Sequence, residues 1–192
     1  MICCAQVSCD RYGRTNMAHL TPEQVHQRAS QIELVIFDVD GVLTDGGIHI
    51  GPDGEEYKIF HSRDGLGIKS LSQHNIEVAI VSGRECAAVV HRMEKLGVKH
   101  IFQGHENKQA AFETLLKKLA VSPEKVAFVG DDIPDLHIMR QVGLGIAVAD
   151  ALPEVQQEAH WVTTLAGGRG AAREVCDMIV YELASRSGHG NR

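Results

Sequence analysis

The stretch VIFDVDGVLTDGG, residues 35–47, begins as an apolar run and ends in acid and glycine. Its β-branched and aromatic start predicts a buried strand over 33–38. Asp38 and Asp40 stand two residues apart where the run stops. A single Asp after a strand is usually a turn or cap residue. The meaning of the pair therefore depends on what the rest of the chain brings to the same edge.

Working outward, strands and helices alternate. HI, a GPDG turn and EEYKIF (49–60) predict a β-hairpin. Helices are expected at 65–74, 85–96, 107–119, 133–142, near 153–159 and near 169–184. Strands are expected at 78–82, 100–102, 125–130, 145–149 and 161–163. Ahead of them all, Thr21 caps a short helix with Pro22 and Glu23 in its first turn. Short connections and apolar strands such as VAIVS and VAFVG imply right-handed crossovers. The expected fold class is therefore α/β, a doubly wound parallel sheet with helices on both faces.

In such sheets, sites form at the carboxyl ends of the strands. Those ends deliver Asp38 and Asp40, then Ser82, Gly83 and Arg84, then Lys108, then Asp131, Asp132 and Asp135. Crowded carboxylates repel one another. A hard divalent cation relieves that repulsion, and Mg²⁺ suits a few carboxylates together with phosphate oxygens. Lys108, the Ser82 hydroxyl and backbone N–H groups suit the phosphate itself. One carboxylate can then attack phosphorus while the second moves the proton.

This arrangement resembles the haloacid-dehalogenase superfamily of phosphotransferases. DVDGV (38–42) matches its first motif, Ser82 its second, Lys108 its third and GDDIPD (130–135) its fourth. The resemblance implies a HAD-like, Rossmannoid sheet with the hairpin in place of a cap domain. It implies Asp38 as nucleophile, Asp40 as general acid and base, and Ser82, Gly83 and Lys108 as phosphate ligands. Mg²⁺ would rest on the Asp38 side chain, the Asp40 backbone carbonyl and Asp131. Asp132 and Asp135 would orient the metal waters and Lys108.

Within the superfamily the chain is similar to the sugar-acid phosphate phosphatases. FDVDGVLTDG (37–46), RDGLGI (63–68), VSGR (81–84), VGDDIPD (129–135) and GGRGAARE (167–174) carry that likeness. In HENK (105–108), Asn107 stands where an acid is expected, and GAARE replaces a valine-bearing version. The likeness implies hydrolysis of a phosphorylated eight-carbon keto sugar acid for lipopolysaccharide precursor synthesis. It also implies a homotetramer whose neighbouring subunit completes each site, with the GGRGAARE segment approaching a site mouth. Arg63, Arg84 and Arg169 are the candidates for the substrate carboxylate, because a planar fork suits that group. The alternatives are a sialic-acid-type 9-phosphate as substrate, or a phosphoaspartate receiver-like signalling domain. A receiver carries its phosphorylated Asp after the third strand, where HIFQG (100–104) offers none.

Bulk properties agree with a small-molecule enzyme. The chain has 192 residues, 44% hydrophobic and 23% charged, with a net charge of −6. That balance disfavours nucleic acid and anionic membranes as partners. No apolar run approaches the roughly 20 residues that span a bilayer. The N-terminal stretch lacks a basic region followed by a long apolar core. The whole chain's odd set of five cysteines, with no export signal, reads as reduced thiols in the cytoplasm. Cys3, Cys4 and Cys9 lack the CxxC spacing of a metal site. Residues 1–31 are expected to form an extension and short helix, loose over 1–16, with Met17 as a candidate start. Residues 32–185 would be one catalytic domain with its hairpin at 46–60, and 186–192 a tail.

Overall fold

A computed structural model describes residues 19–105 and 107–189. The loose extension expected at 1–16, with Cys3, Cys4 and Cys9, and Met17 lie outside the described residues. Helix α1 (Pro22–Ala29) starts at Thr21, where a capping box with Gln24 satisfies backbone donors at both ends of the turn. Strand β1 (Leu34–Phe37) follows, and all four of its residues are buried.

The remaining elements are β2 (His49–Ile50), β3 (Glu56–Tyr57), α2 (Ser62–Gln73), β4 (Glu77–Val81), α3 (Ala87–Leu96) and β5 (His100–Phe102). They continue as α4 (Lys108–Leu119), β6 (Val126–Gly130), α5 (Leu136–Met139), β7 (Leu144–Ala147), α6 (Pro153–Glu158), β8 (Trp161–Val162) and α7 (Ala171–His189). Six strands form one sheet in the order β5-β4-β1-β6-β7-β8. Every neighbouring pair in it is parallel. The chain runs from β1 out to β5, then crosses back to β6 on the other side of β1. That reversal opens a crevice at the carboxyl end of β1, where the acid pair sits.

Right-handed crossovers place α2 and α3 on one face and α4, α5 and α6 on the other. Helix α7 packs along α2, and α1 packs against α7. Phe37, Phe112, Phe128, Ile36, Ile80 and Leu115 fill the core between the layers. Each such side chain contributes roughly 1.5–3 kcal/mol when fully buried. Among the described residues, no helix is long and apolar enough to cross a membrane.

Three differences from expectation have a clear local cause. The hairpin ladder is only β2 with β3, because the segment after Tyr57 turns toward the first acid pair instead of continuing the ladder. The helix expected at 133–142 is a 3₁₀ turn over Ile133–Asp135 followed by the four-residue α5. There the Asp135 side chain folds back onto the N–H groups of Asp131 and Asp132. Helix α7 begins at Ala171 rather than 169, since Gly168 and Gly170 hold left-handed φ angles of 62° and 116°.

Candidate active site

Asp38 continues β1 by one residue, its N–H donating to Val129 O at 3.1 Å. The chain then turns sharply. Val39 O accepts from the N–H groups of Leu43 and Thr44 at 2.9 and 3.0 Å. Gly41 makes the turn possible with a φ of 86°.

Lys108, the first residue of α4, reaches across the edge. Its Nζ lies 2.9 Å from Asp38 Oδ2 and 2.6 Å from Asp135 Oδ1. Asp135 is fully buried, and its Oδ2 accepts from Asp131 N and Asp132 N at 3.0 and 3.2 Å. Asp132 accepts from Ile133 N at 2.7 Å, which caps the following turn. One oxygen each of Asp38, Asp131 and Asp135 lies within 4.8 Å of the other two. Ser82 is buried at the end of β4, with its Oγ accepting from Arg84 N at 3.4 Å.

A cleft of about 350 Å³ opens over this edge, lined among others by Asp38, Asp40, Ser82, Gly83, Lys108 and Asp131. Its electrostatics are strained toward neutralisation. Burial, then the Asp135 charge, push the Asp38 carboxyl up to about 7 against the pull of Lys108. Burial, then Asp38 and Asp135, push Asp131 up to about 8. Burial alone would lower the Lys108 ammonium, but the Asp38 and Asp135 carboxylates outweigh it and raise it. One cation thus faces three acids. Asp131 Oδ1 is buried and finds no hydrogen-bond partner, which is the environment a divalent cation satisfies. Asp135 has both oxygens engaged already, which leaves Asp38 and Asp131 as the side chains with free capacity.

Two residues absent from the sequence reading complete the edge. Lys58, just past β3, places its Nζ 2.5 Å from Asp40 Oδ1 and 2.7 Å from Glu56 Oε1. Glu56 also holds Arg84 Nη2 at 2.8 Å. The hydrogen bonds from Arg84 and Lys58 pull the Glu56 carboxyl down to about 2. A usable signal was present: Glu56 and Lys58 are two apart in the expected strand segment EEYKIF, and so on one face of it.

The three candidate arginines separate. Arg84 lines the cleft. Arg63 is exposed in the first turn of α2, and the cleft is built without it. Arg169 pairs with Asp45 at 3.0 Å. The GGRG segment packs onto the acid loop of its own chain. Gly168 N donates to Val42 O at 2.9 Å, and a β-carbon at Gly167 would overlap Gly41 O.

Fold and site together define a hydrolase of the haloacid-dehalogenase type, built on a parallel sheet flanked by helices. Residues 97–174 match the haloacid dehalogenase-like hydrolase family, and the chain belongs to that family. It is 53% identical over 156 residues to the 3-deoxy-D-manno-octulosonate 8-phosphate phosphatase KdsC of Salmonella typhi, covering 81% of this chain and 83% of that one. The crystal structure of the same phosphatase from Yersinia pestis superposes with a TM-score of 0.84 at 48% identity, covering 86% of this chain and 90% of that one. The Moraxella catarrhalis phosphatase, solved with magnesium, phosphate and KDO, gives a TM-score of 0.83 at 37% identity, covering 89% of this chain and all of that one.

Proposed function

We propose that the chain is a Mg²⁺-dependent phosphatase that hydrolyses 3-deoxy-D-manno-octulosonate 8-phosphate to KDO and phosphate. The observation that carries this is the convergence of Asp38, Lys108 and Asp131 at one strand edge. The relatives named above favour the eight-carbon sugar acid over a nine-carbon one, and a hydrolase over a receiver domain.

The orphaned Asp131 oxygen and the crowded acids fit a divalent cation held by the Asp38 carboxylate, the Asp40 carbonyl and Asp131. When bound there, Mg²⁺ neutralises the acids and draws charge from the phosphoryl oxygens. Ser82 Oγ, Gly83 N–H and Lys108 Nζ hold those oxygens. Asp135 anchors Lys108, and Asp132 shapes the turn that carries Asp131. Asp38 attacks phosphorus, and the ester P–O bond breaks as Asp40 gives its proton to the departing sugar oxygen. Asp40 then takes a proton from water as that water attacks the aspartyl-phosphate. Phosphate leaves and Asp38 is restored.

Arg84 is our candidate for the substrate carboxylate from within the chain. Ile50, Tyr57 and Ile59 on the hairpin and Leu66 on α2 are exposed by half or more. Ile50 and Tyr57 fall on opposite faces of the hairpin, so this arm exposes apolar side chains on both sides, which suits burial between copies, and we assign it to further copies of this chain in a homotetramer. Arg63 and Arg169 would act through that assembly. The test of the function is phosphate release with Mg²⁺. The octulosonate 8-phosphate should be among the best of a panel of sugar-acid phosphates, and Asp38→Asn should abolish turnover. A poor rate on that compound would remove the substrate assignment.

A further inference from the structure

Asp40 is held by one oxygen only. Its Oδ1 accepts the Lys58 ammonium at 2.5 Å. Its Oδ2 is buried and has no hydrogen-bond partner, with Arg84 Nε no closer than 3.9 Å. The Lys58 side chain is 2% exposed, so its charge is shielded from water and answered by Asp40 and Glu56. Glu56 is itself fixed twice more. Its side chain takes Arg84 at 2.8 Å, and its backbone carbonyl accepts from Cys86 Sγ at 3.5 Å. The hairpin thus delivers a fastened cation to one oxygen of a carboxylate that lines the cleft.

We infer that Lys58 is a positioning residue that occupies Asp40 Oδ1 and so dedicates Oδ2 to carrying the proton to the leaving oxygen. The inference rests on the phosphatase reading above. A carboxylate on a turn can rotate about its terminal bond, which is broad and nearly two-fold. Lys58 fixes that rotation from a different element. A short side chain two residues beyond the nucleophile has no other anchor of this kind among the described residues.

The experiment measures kcat/KM with Mg²⁺ on aryl phosphates of graded leaving-group basicity, from 2,4-dinitrophenyl through 4-nitrophenyl to phenyl phosphate. This quantity reports phosphoryl transfer to Asp38, the step in which the leaving oxygen needs a proton. Lys58→Met should lower kcat/KM by about 100-fold on phenyl phosphate. The same variant should change the dinitrophenyl value by less than about threefold, because that leaving group departs without a proton. Lys58→Arg, which keeps a donor to Oδ1, should restore most of the phenyl phosphate rate. Equal losses across the series, with or without a lowered melting temperature, would show a structural role and overturn the inference, as would no loss at all. A parent chain that released phosphate from none of the series, nor from the sugar-acid phosphate, would instead sink the phosphatase reading and the inference with it.

Discussion

The Asp131 carboxylate lies directly against the Cα of Gly41. A β-carbon on residue 41 would overlap both Oδ2 and Cγ of Asp131, and the φ of 86° is one that L side chains rarely adopt. Gly41→Ala therefore costs about 1–2 kcal/mol of backbone strain and forces Asp131 out of its place. Mg²⁺ affinity should weaken by about 10-fold or more, read by titration calorimetry. Unchanged affinity would detach Asp131 from the ion.

His160 is a group whose charging destabilises the fold in acid, opposite in sign to the raised carboxyls of Asp38 and Asp131. Its Nδ1 accepts from Gly145 N at 2.8 Å, and Arg28 Nη1 faces Nε2 at 3.1 Å. Burial, then Arg28, push this imidazole down to about 4. Its folded-state value thus lies below its unfolded one, and the unfolded chain binds the extra proton. The stability it contributes is complete above the unfolded value near 6.5 and is lost as pH falls toward about 4. The loss is at most roughly 3 kcal/mol. His160→Asn keeps an acceptor for Gly145 N, and the parent's urea-unfolding stability should fall relative to the variant's as pH drops through that window. A parent-minus-variant difference that stays constant across it would place the titration elsewhere.

Arg84 should govern specificity rather than chemistry. Arg84→Ala should raise KM for the sugar-acid phosphate about 10-fold or more, the value of a charge-assisted contact. KM for 4-nitrophenyl phosphate, which lacks the sugar carboxylate, should stay within about twofold on the same grounds. Parallel increases on both substrates would release Arg84 from that role.

The hairpin should set assembly. Ile50 and Ile59 are 69% and 62% exposed, so charging them costs the single chain little. Ile50→Asp with Ile59→Asp should yield a folded monomer by light scattering, with sugar-acid phosphate turnover reduced. A parent chain that is monomeric from the outset would refute the interface.

Much of the sheet could be read directly, because buried strands such as VAFVG carry both a pattern and a composition that few alternatives share. The acids at the strand ends were legible for the same reason, since topology assigns every parallel strand one productive end. Lys108 needed only the rule that a helix begins where a strand has just stopped. Lys58 and Glu56 escaped because their partners are non-local: a lysine in a hairpin looks solvated until the fold lays it across Asp40. The helix expected at 133–142 failed for a related reason. Asp135 had the spacing of a helical residue, but its carboxylate is spent on two backbone donors and Lys108. The contact of Arg169 with Asp45 is non-local in the same way, since 124 positions separate the two.

The docking of Gly167 and Gly168 onto the loop around Gly41 and Thr44 bears on how the enzyme is born. All the acids and the lysine are present once residue 135 has been synthesised, yet the loop bearing the first two acquires its final surroundings only from a segment some thirty positions later. A chain emerging from the ribosome therefore carries every acid and the lysine before it carries the glycines that pack against that loop.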